Sequence, residues 1–274
     1  MKTYSTQVPG KWILAGEHSV LRGVPALVFP LRTRVLDLSY ICPTNANALS
    51  LNLHGEHGEE LQILVWEVLE RACELKKIKK ASLIGELTLK SSIPVGAGMG
   101  ASAALCVAIT RWMNFIGFVS SDEMFEFART LENLFHGESS GVDIAVSLRG
   151  QALYYQRSQE PRPLRLEWAP QWYISYSGNR GVTIECVNKV KDFIERDPDL
   201  GKDLDAQMRE SVEICEKALF QKDEKAGRDL LKKGIDLANR VFERWGLTEG
   251  APQKHMELLK QSGALAVKPT GSGG

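Results

Sequence analysis

Nothing in this 274-residue sequence tips its charge: 34 Lys and Arg balance 34 Asp and Glu, so no global field recruits nucleic acid or an anionic membrane. No apolar run approaches the roughly 18 to 20 residues of a membrane span. The opening Met1-Lys-Thr-Tyr-Ser-Thr lacks the apolar core of a signal peptide. Cysteine is sparse: Cys42, Cys73, Cys106, Cys186 and Cys215 are scattered, odd in number and free of Cys-x-x-Cys spacing. That argues against a structural zinc and for reduced thiols in the cytoplasm. The chain also lacks internal repeats, low-complexity tracts and a Walker Gly-Lys-Ser/Thr ending. These absences leave a small molecule as the partner.

What is present is ordinary globular composition, 43% hydrophobic and 25% charged, in a chain long enough for two modest domains or one large one. Its organising stretch is Pro94-Val-Gly96-Ala97-Gly98-Met99-Gly100-Ala101-Ser102, where closely spaced glycines join a strand pattern to a helix pattern. Glycine takes backbone angles closed to other residues and lets a ligand approach the main chain. A helix beginning at Ala101 would aim its free N–H groups and positive dipole end at that ligand, so an anion is the natural guest. Ser102 offers a hydroxyl oxygen where a phosphate-bound Mg²⁺ would use one. Three readings remain open on these residues alone: a capped turn, a dinucleotide fingerprint through Gly96-x-Gly98-x-x-Ala101, and a nucleotide-phosphate loop outside the Walker class. The dinucleotide reading fits its surroundings poorly, because the preceding strand pattern, 82–93, is long and half polar.

Along the chain, periodicity predicts a strand over 4–15 broken at Pro9-Gly10, strands over 25–31, 33–41 and 50–53, and a helix over 58–78. Helices over 103–116 and 122–135 follow the glycine loop, the first ended by Gly117 and the second capped by Ser120 or Ser121. Asp143 falls near the N-terminus of a short helix, and 150–156 and 164–168 read as closing strands of a first domain, 1–168. The second domain, 169–274, reads as α+β. Strands are expected at 172–176 and 264–267, and helices near 183–195, 202–220, 223–243 and 252–262. His54 and His57 lack further ligands nearby and read as a solvated loop.

Three separated stretches together resemble the GHMP kinase family: Pro9-Gly-Lys11-x-Ile-Leu-x-Gly-Glu17-His18, Pro94-x-Gly-Ala-Gly-Met-Gly-x-Ser102-Ala-Ala104, and Lys268-x-Thr-Gly-Ser-Gly-Gly274. Within that family the likeness is greatest to the mevalonate-phosphorylating branch, through Gly16 to Leu27 and through the Glu132 to Asp143 stretch. The resemblance implies an α+β, two-domain GHMP kinase fold. Its N-terminal domain would be ribosomal-protein-S5-domain-2-like, with a left-handed βαβ crossover, and its C-terminal domain ferredoxin-like. It implies ATP and Mg²⁺ as cofactors, mevalonate as small-molecule partner, and a homodimer as the common assembly of relatives. Carried over residue by residue, Asp143 would be the general base and Lys11 its neighbour, neutralising charge on the transferred phosphoryl group. Pro94, Gly96, Ala97, Gly98, Met99, Gly100, Ala101 and Ser102 would cradle the phosphates, and Ser102 and Glu132 would hold Mg²⁺. Glu17 and His18 would line the substrate pocket, with Arg180 and Thr183 near the substrate carboxylate.

Two departures stand out. Ala101 replaces the first serine of a Ser-Ser pair common in relatives, and the third motif stops at Gly274 where relatives continue into a closing strand. If the protein ends there, the resemblance implies a C-terminal sheet short of one strand; a truncated chain is the alternative.

Overall fold

A computed structural model describes residues 1–54, 58–178 and 183–273. By contact the chain forms two compact units. The first holds Met1–Lys11, Pro30–Val95 and Met99–Gly150, and the second Trp12–Phe29, Gly96–Gly98 and Gln151–Gly274.

In the first unit, strand β1 (Lys2–Ala15) contributes its first ten residues, and β2 (Ala26–Cys42) its residues from Pro30 on. β3 (Leu49–His54) runs parallel to β4 (Gly85–Ser91), with Leu51 opposite Leu87. The connection between them is helix α1 (Gly58–Lys76), as a parallel pair requires a crossover. β4 lies antiparallel to β2, with Leu38 opposite Leu89. Its residues alternate, burying Gly85, Leu87 and Leu89 and turning Glu86 outward, which is the signature of a sheet with one dry face. Helix α2 (Ala101–Phe115) is buried nearly all round, from Ala103 through Met113, and packs on α3 (Met124–His136) and α4 (Val142–Arg149). A helix apolar on every side belongs at the centre of a domain.

In the second unit, the start of β2 pairs with β5 (Leu153–Tyr155), which pairs in turn with β6 (Arg162–Pro163). Helices α5 (Thr183–Arg196), α6 (Pro198–Leu219), α7 (Glu224–Arg244) and α8 (Ala251–Gln261) complete it. Asp197 caps α6 through the Leu200 N–H, with Pro198 in the first turn, and Asp223 caps α7 through Lys225 and Ala226. α6 and α7 pack together, enclosing Val212, Cys215, Leu219, Leu231 and Ile235 with Leu14, Leu27 and Phe29. A second cluster gathers Val24, Leu204, Met208, Val241, Phe242 and Trp245.

Several expected boundaries move. Pro9-Gly10 does not break β1, and 25–31 and 33–41 are one strand. Pro30 is tolerated because it falls between the β5 register, which ends at Val28, and the β4 register, which starts at Leu36. The long strand over 82–93 shortens to β4, with a 3₁₀ turn at Lys80–Ser82 before it. Residues 164–168, 172–176 and 264–267 are not strands, since none gains a ladder partner among the described residues. An apolar alternation reads the same whether or not a neighbouring strand exists. The α3 cap is also reversed: no serine caps it, and the Glu123 carboxylate instead accepts from the N–H of Ser120 at 2.9 Å and its hydroxyl at 2.8 Å.

Candidate active site

Lys11 lies in β1 where Pro9–Lys11 abuts the glycine loop. Its N–H donates to the Met99 carbonyl at 2.9 Å, and its side chain is almost fully enclosed. The ammonium meets Asp143 Oδ2 at 2.9 Å, with side-chain exposures of 5% and 18%. The carboxylate therefore keeps one open approach while the cation beside it is fixed. Asp143 stands in the first turn of α4, behind Gly141 in the left-handed conformation, where the helix dipole favours a negative charge.

The loop itself takes the backbone expected of it. Gly96, Gly98 and Gly100 all have positive φ, and Gly100 is the N-cap of α2 without any side-chain cap. A Cβ on Gly100 would come within 2.6 Å of Lys11 Cγ, so the close approach of loop to lysine requires glycine here. The Ala104 N–H closes the first turn onto the Gly100 carbonyl at 2.9 Å. Met99 and Gly100 are buried, while Ala101 and Ser102 remain partly open at the helix start.

Glu132, on α3, is 2% exposed. Burial first, and the Asp143 charge second, push its carboxyl up to about 8. Ser139 donates its hydroxyl to Oε2, and Oε1 has no hydrogen-bond partner. A buried acid with a bare oxygen beside a second carboxylate fits a bound cation, which would restore its charge and satisfy that oxygen. Among the described residues no group of three or more His, Cys, Asp or Glu gathers around a metal position. Mg²⁺ needs no such group, because it keeps several waters and takes only one or two carboxylates plus phosphate oxygens.

In the second unit, Gly16 has φ +106, and a Cβ there would fall within 2.3 Å of the Pro25 carbonyl, so the chain can turn at this point only with glycine. Glu17 and His18 follow, 1% and 7% exposed. His18 Nε2 is 2.8 Å from the Ser272 carbonyl, and its ring meets Phe242 and Trp245 edge-on. Ser19 and Arg22 both donate to Asp205 of α6, which ties down the turn that follows.

Lys11, Asp143, Glu132 and Ser102 thus share the first unit, and Lys11 with Asp143 forms the ion pair. Glu17 and His18 share the second unit with Gly96, Ala97 and Gly98. Arg180 lies outside the described residues; Thr183 opens α5, and its side chain lies outside them as well. Ser139, which donates to Glu132, and Lys268, which pairs with Glu17, are not among the sequence candidates. Both sit inside motif stretches, and neither carries a local signal that names its partner.

Residues 63–151 match the family model described as "GHMP kinases N terminal domain". The mevalonate kinase of Pyrococcus horikoshii is 26% identical over 298 residues, a match taking in 100% of this chain and 87% of that protein. The mevalonate kinase of Archaeoglobus fulgidus is 29% identical over 273 residues, with 97% and 88% covered. The solved structure of L. major mevalonate kinase in complex with R-mevalonate superimposes with a TM-score of 0.75 at 20% identity, covering 99% of this chain and 85% of that one. The family's N-terminal domain is thus recognised over residues 63–151, and along its full length the chain is similar to mevalonate kinases, enzymes that phosphorylate an alcohol.

Proposed function

We propose that the chain transfers a phosphoryl group from MgATP to the primary hydroxyl of mevalonate. The observation that carries the reading is the enclosed Lys11–Asp143 pair, 2.9 Å apart, in the same unit as Glu132 and the start of α2. The names of the curated relatives support mevalonate as the acceptor.

In this mechanism Asp143 takes the proton from the attacking hydroxyl through its exposed oxygen edge. A weak base suffices, because phosphoryl transfer asks mainly for positioning and charge neutralisation. Lys11 holds Asp143 in place and offsets negative charge developing on the transferred group. The glycine loop and the first turn of α2 bind phosphate oxygens through main-chain N–H groups. Ser102 and Glu132 would hold Mg²⁺, which when bound supplies charge neutralisation to the phosphates. Glu17 and His18 line the acceptor pocket. Residues 1–168 and 169–274 serve as ATP-side and substrate-side domains, and the enzyme works in the cytoplasm as a homodimer.

The test is ADP release from MgATP with mevalonate, phosphomevalonate, galactose and homoserine offered in parallel, beside an Asp143→Asn control. Turnover with mevalonate alone, reduced by about 10²- to 10⁴-fold in the control while ATP binding persists, is the expected result. Turnover of a different alcohol replaces the substrate, and a control as active as wild type removes Asp143 from the chemistry.

A further inference from the structure

The run 268–273 is fastened against the segment 13–18, all within the second unit. The Ile13 N–H donates to Thr270 Oγ1 at 2.9 Å, and that hydroxyl donates to the Ile13 carbonyl at 3.1 Å. A single side chain thereby fills both roles a residue of a neighbouring strand would fill. Further along, the Ser272 carbonyl meets His18 Nε2 at 2.8 Å. His18 sits at φ +57, a conformation that a non-glycine residue keeps only where its surroundings hold it there.

Lys268 anchors this strap. Its side chain is 7% exposed and pairs with the Glu17 carboxylate, itself 1% exposed. The same ammonium reaches the Ile13 carbonyl at 3.3 Å and the Pro269 carbonyl at 2.5 Å. It lies 5.3 Å from the centre of the Phe242 ring, whose neighbour is the His18 ring at 5.8 Å. A pair this deep is weak evidence for stability, because desolvation offsets most of its attraction, yet losing one partner is damaging. Its position beside His18 points to geometry as its purpose.

We propose that Lys268 is a positioning residue for the acceptor pocket. Its ammonium fixes the Glu17 carboxylate, seats the His18 ring through the strap, and cancels a buried negative charge that would repel a carboxylate-bearing alcohol. This rests on reading Glu17 and His18 as acceptor-pocket residues.

The test compares wild type, Lys268→Met, Glu17→Gln and the double variant as full chains. The KM and kcat are measured separately for MgATP and for whichever alcohol of the panel is turned over, alongside the imidazole ¹⁵N resonances of His18. Lys268→Met raises the KM for the alcohol about a hundredfold, the scale of truncating one partner of a desolvated charge pair. Thr270 and Gly271 of the strap also lie against Gly98, so the KM for MgATP rises as well, but at least about tenfold less than that for the alcohol, and the His18 resonances shift. The double variant, which leaves no lone buried charge, regains at least about tenfold of that loss, and it also serves where Lys268→Met alone does not fold. Equal losses on both substrates without recovery, or unmoved His18 resonances, overturn the positioning role. A wild type silent on every alcohol refutes the functional reading instead, and the His18 resonances then decide the positioning alone.

Discussion

Replacing Gly100 by alanine tests whether the glycine loop and the Lys11–Asp143 pair are one device. Two effects combine. At φ +77 a Cβ strains the backbone, which costs about 1–2 kcal/mol. The new Cβ also falls 2.6 Å from Lys11 Cγ, 3.3 Å from Cε and 3.5 Å from Cδ. The Lys11 backbone is held by its N–H bond to Met99, so the stem must move, by roughly 1 Å to reach ordinary van der Waals separation. The ammonium moves with it, away from its 2.9 Å contact with Asp143. A misplacement of about 1 Å in a positioned group lowers turnover on the order of a hundredfold. Gly117 supplies the control: its φ is +89 and a Cβ there meets nothing within 4 Å, so Gly117→Ala carries the strain without the collision. Both variants should lower Tm by about 2–8 °C in calorimetry. Only Gly100→Ala should lower kcat in the ADP-release assay. Equal kcat in the two variants would refute the argument, whatever their Tm.

Three further outcomes follow from other parts of the chain. Glu132→Gln should raise the Mg²⁺ concentration needed for half-maximal turnover by at least about tenfold, the scale of one lost charge-assisted ligand; an unchanged Mg²⁺ titration would remove Glu132 from the metal. Gly234→Ala places a Cβ 2.4 Å from Cys215 Sγ across the α6–α7 contact, so overpacking of about 1–3 kcal/mol should outweigh the gain in helix propensity. Adding Cys215→Ala should return much of the lost Tm, and no recovery would place the strain elsewhere. Glu123 is pulled down to about 2, first by the Ser120 N–H and then by Lys76. A depressed carboxylate contributes stability above its unfolded value near 4.5 and loses it as pH falls toward 2. The Tm difference between wild type and Glu123→Gln should therefore vanish across that window, and a difference constant with pH would sink the assignment.

Parts of the candidate site's geometry were legible where residue identity sets backbone conformation or charge. Glycines at alternate positions announce left-handed backbone, and Gly96, Gly98 and Gly100 have it. Lys11 and Asp143 were paired by resemblance, and the 2.9 Å contact joins β1 to the first turn of α4 within the same unit. Helices were legible because a 3.6-residue period is local; α7 differs from its expected range by a residue at each end. Strands were less so, since a ladder depends on a partner far along the chain. Residues 25–31 and 33–41 read as two strands and are one, whereas 264–267 reads as a strand and gains no ladder partner among the described residues. The Lys268–Glu17 pair spans 251 positions, and nothing local in either residue names the other.

Lys11 faces two ways. Its backbone N–H belongs to the glycine loop through Met99, and its ammonium belongs to Asp143. Linkage makes such a shared residue reciprocal: whatever free energy an anion at the loop gains by shifting Lys11 must reappear as an equal change in the affinity of the Asp143 site for a proton or cation, and the reverse. Anion affinity at the loop and proton or cation affinity at Asp143 are then two readings of one equilibrium.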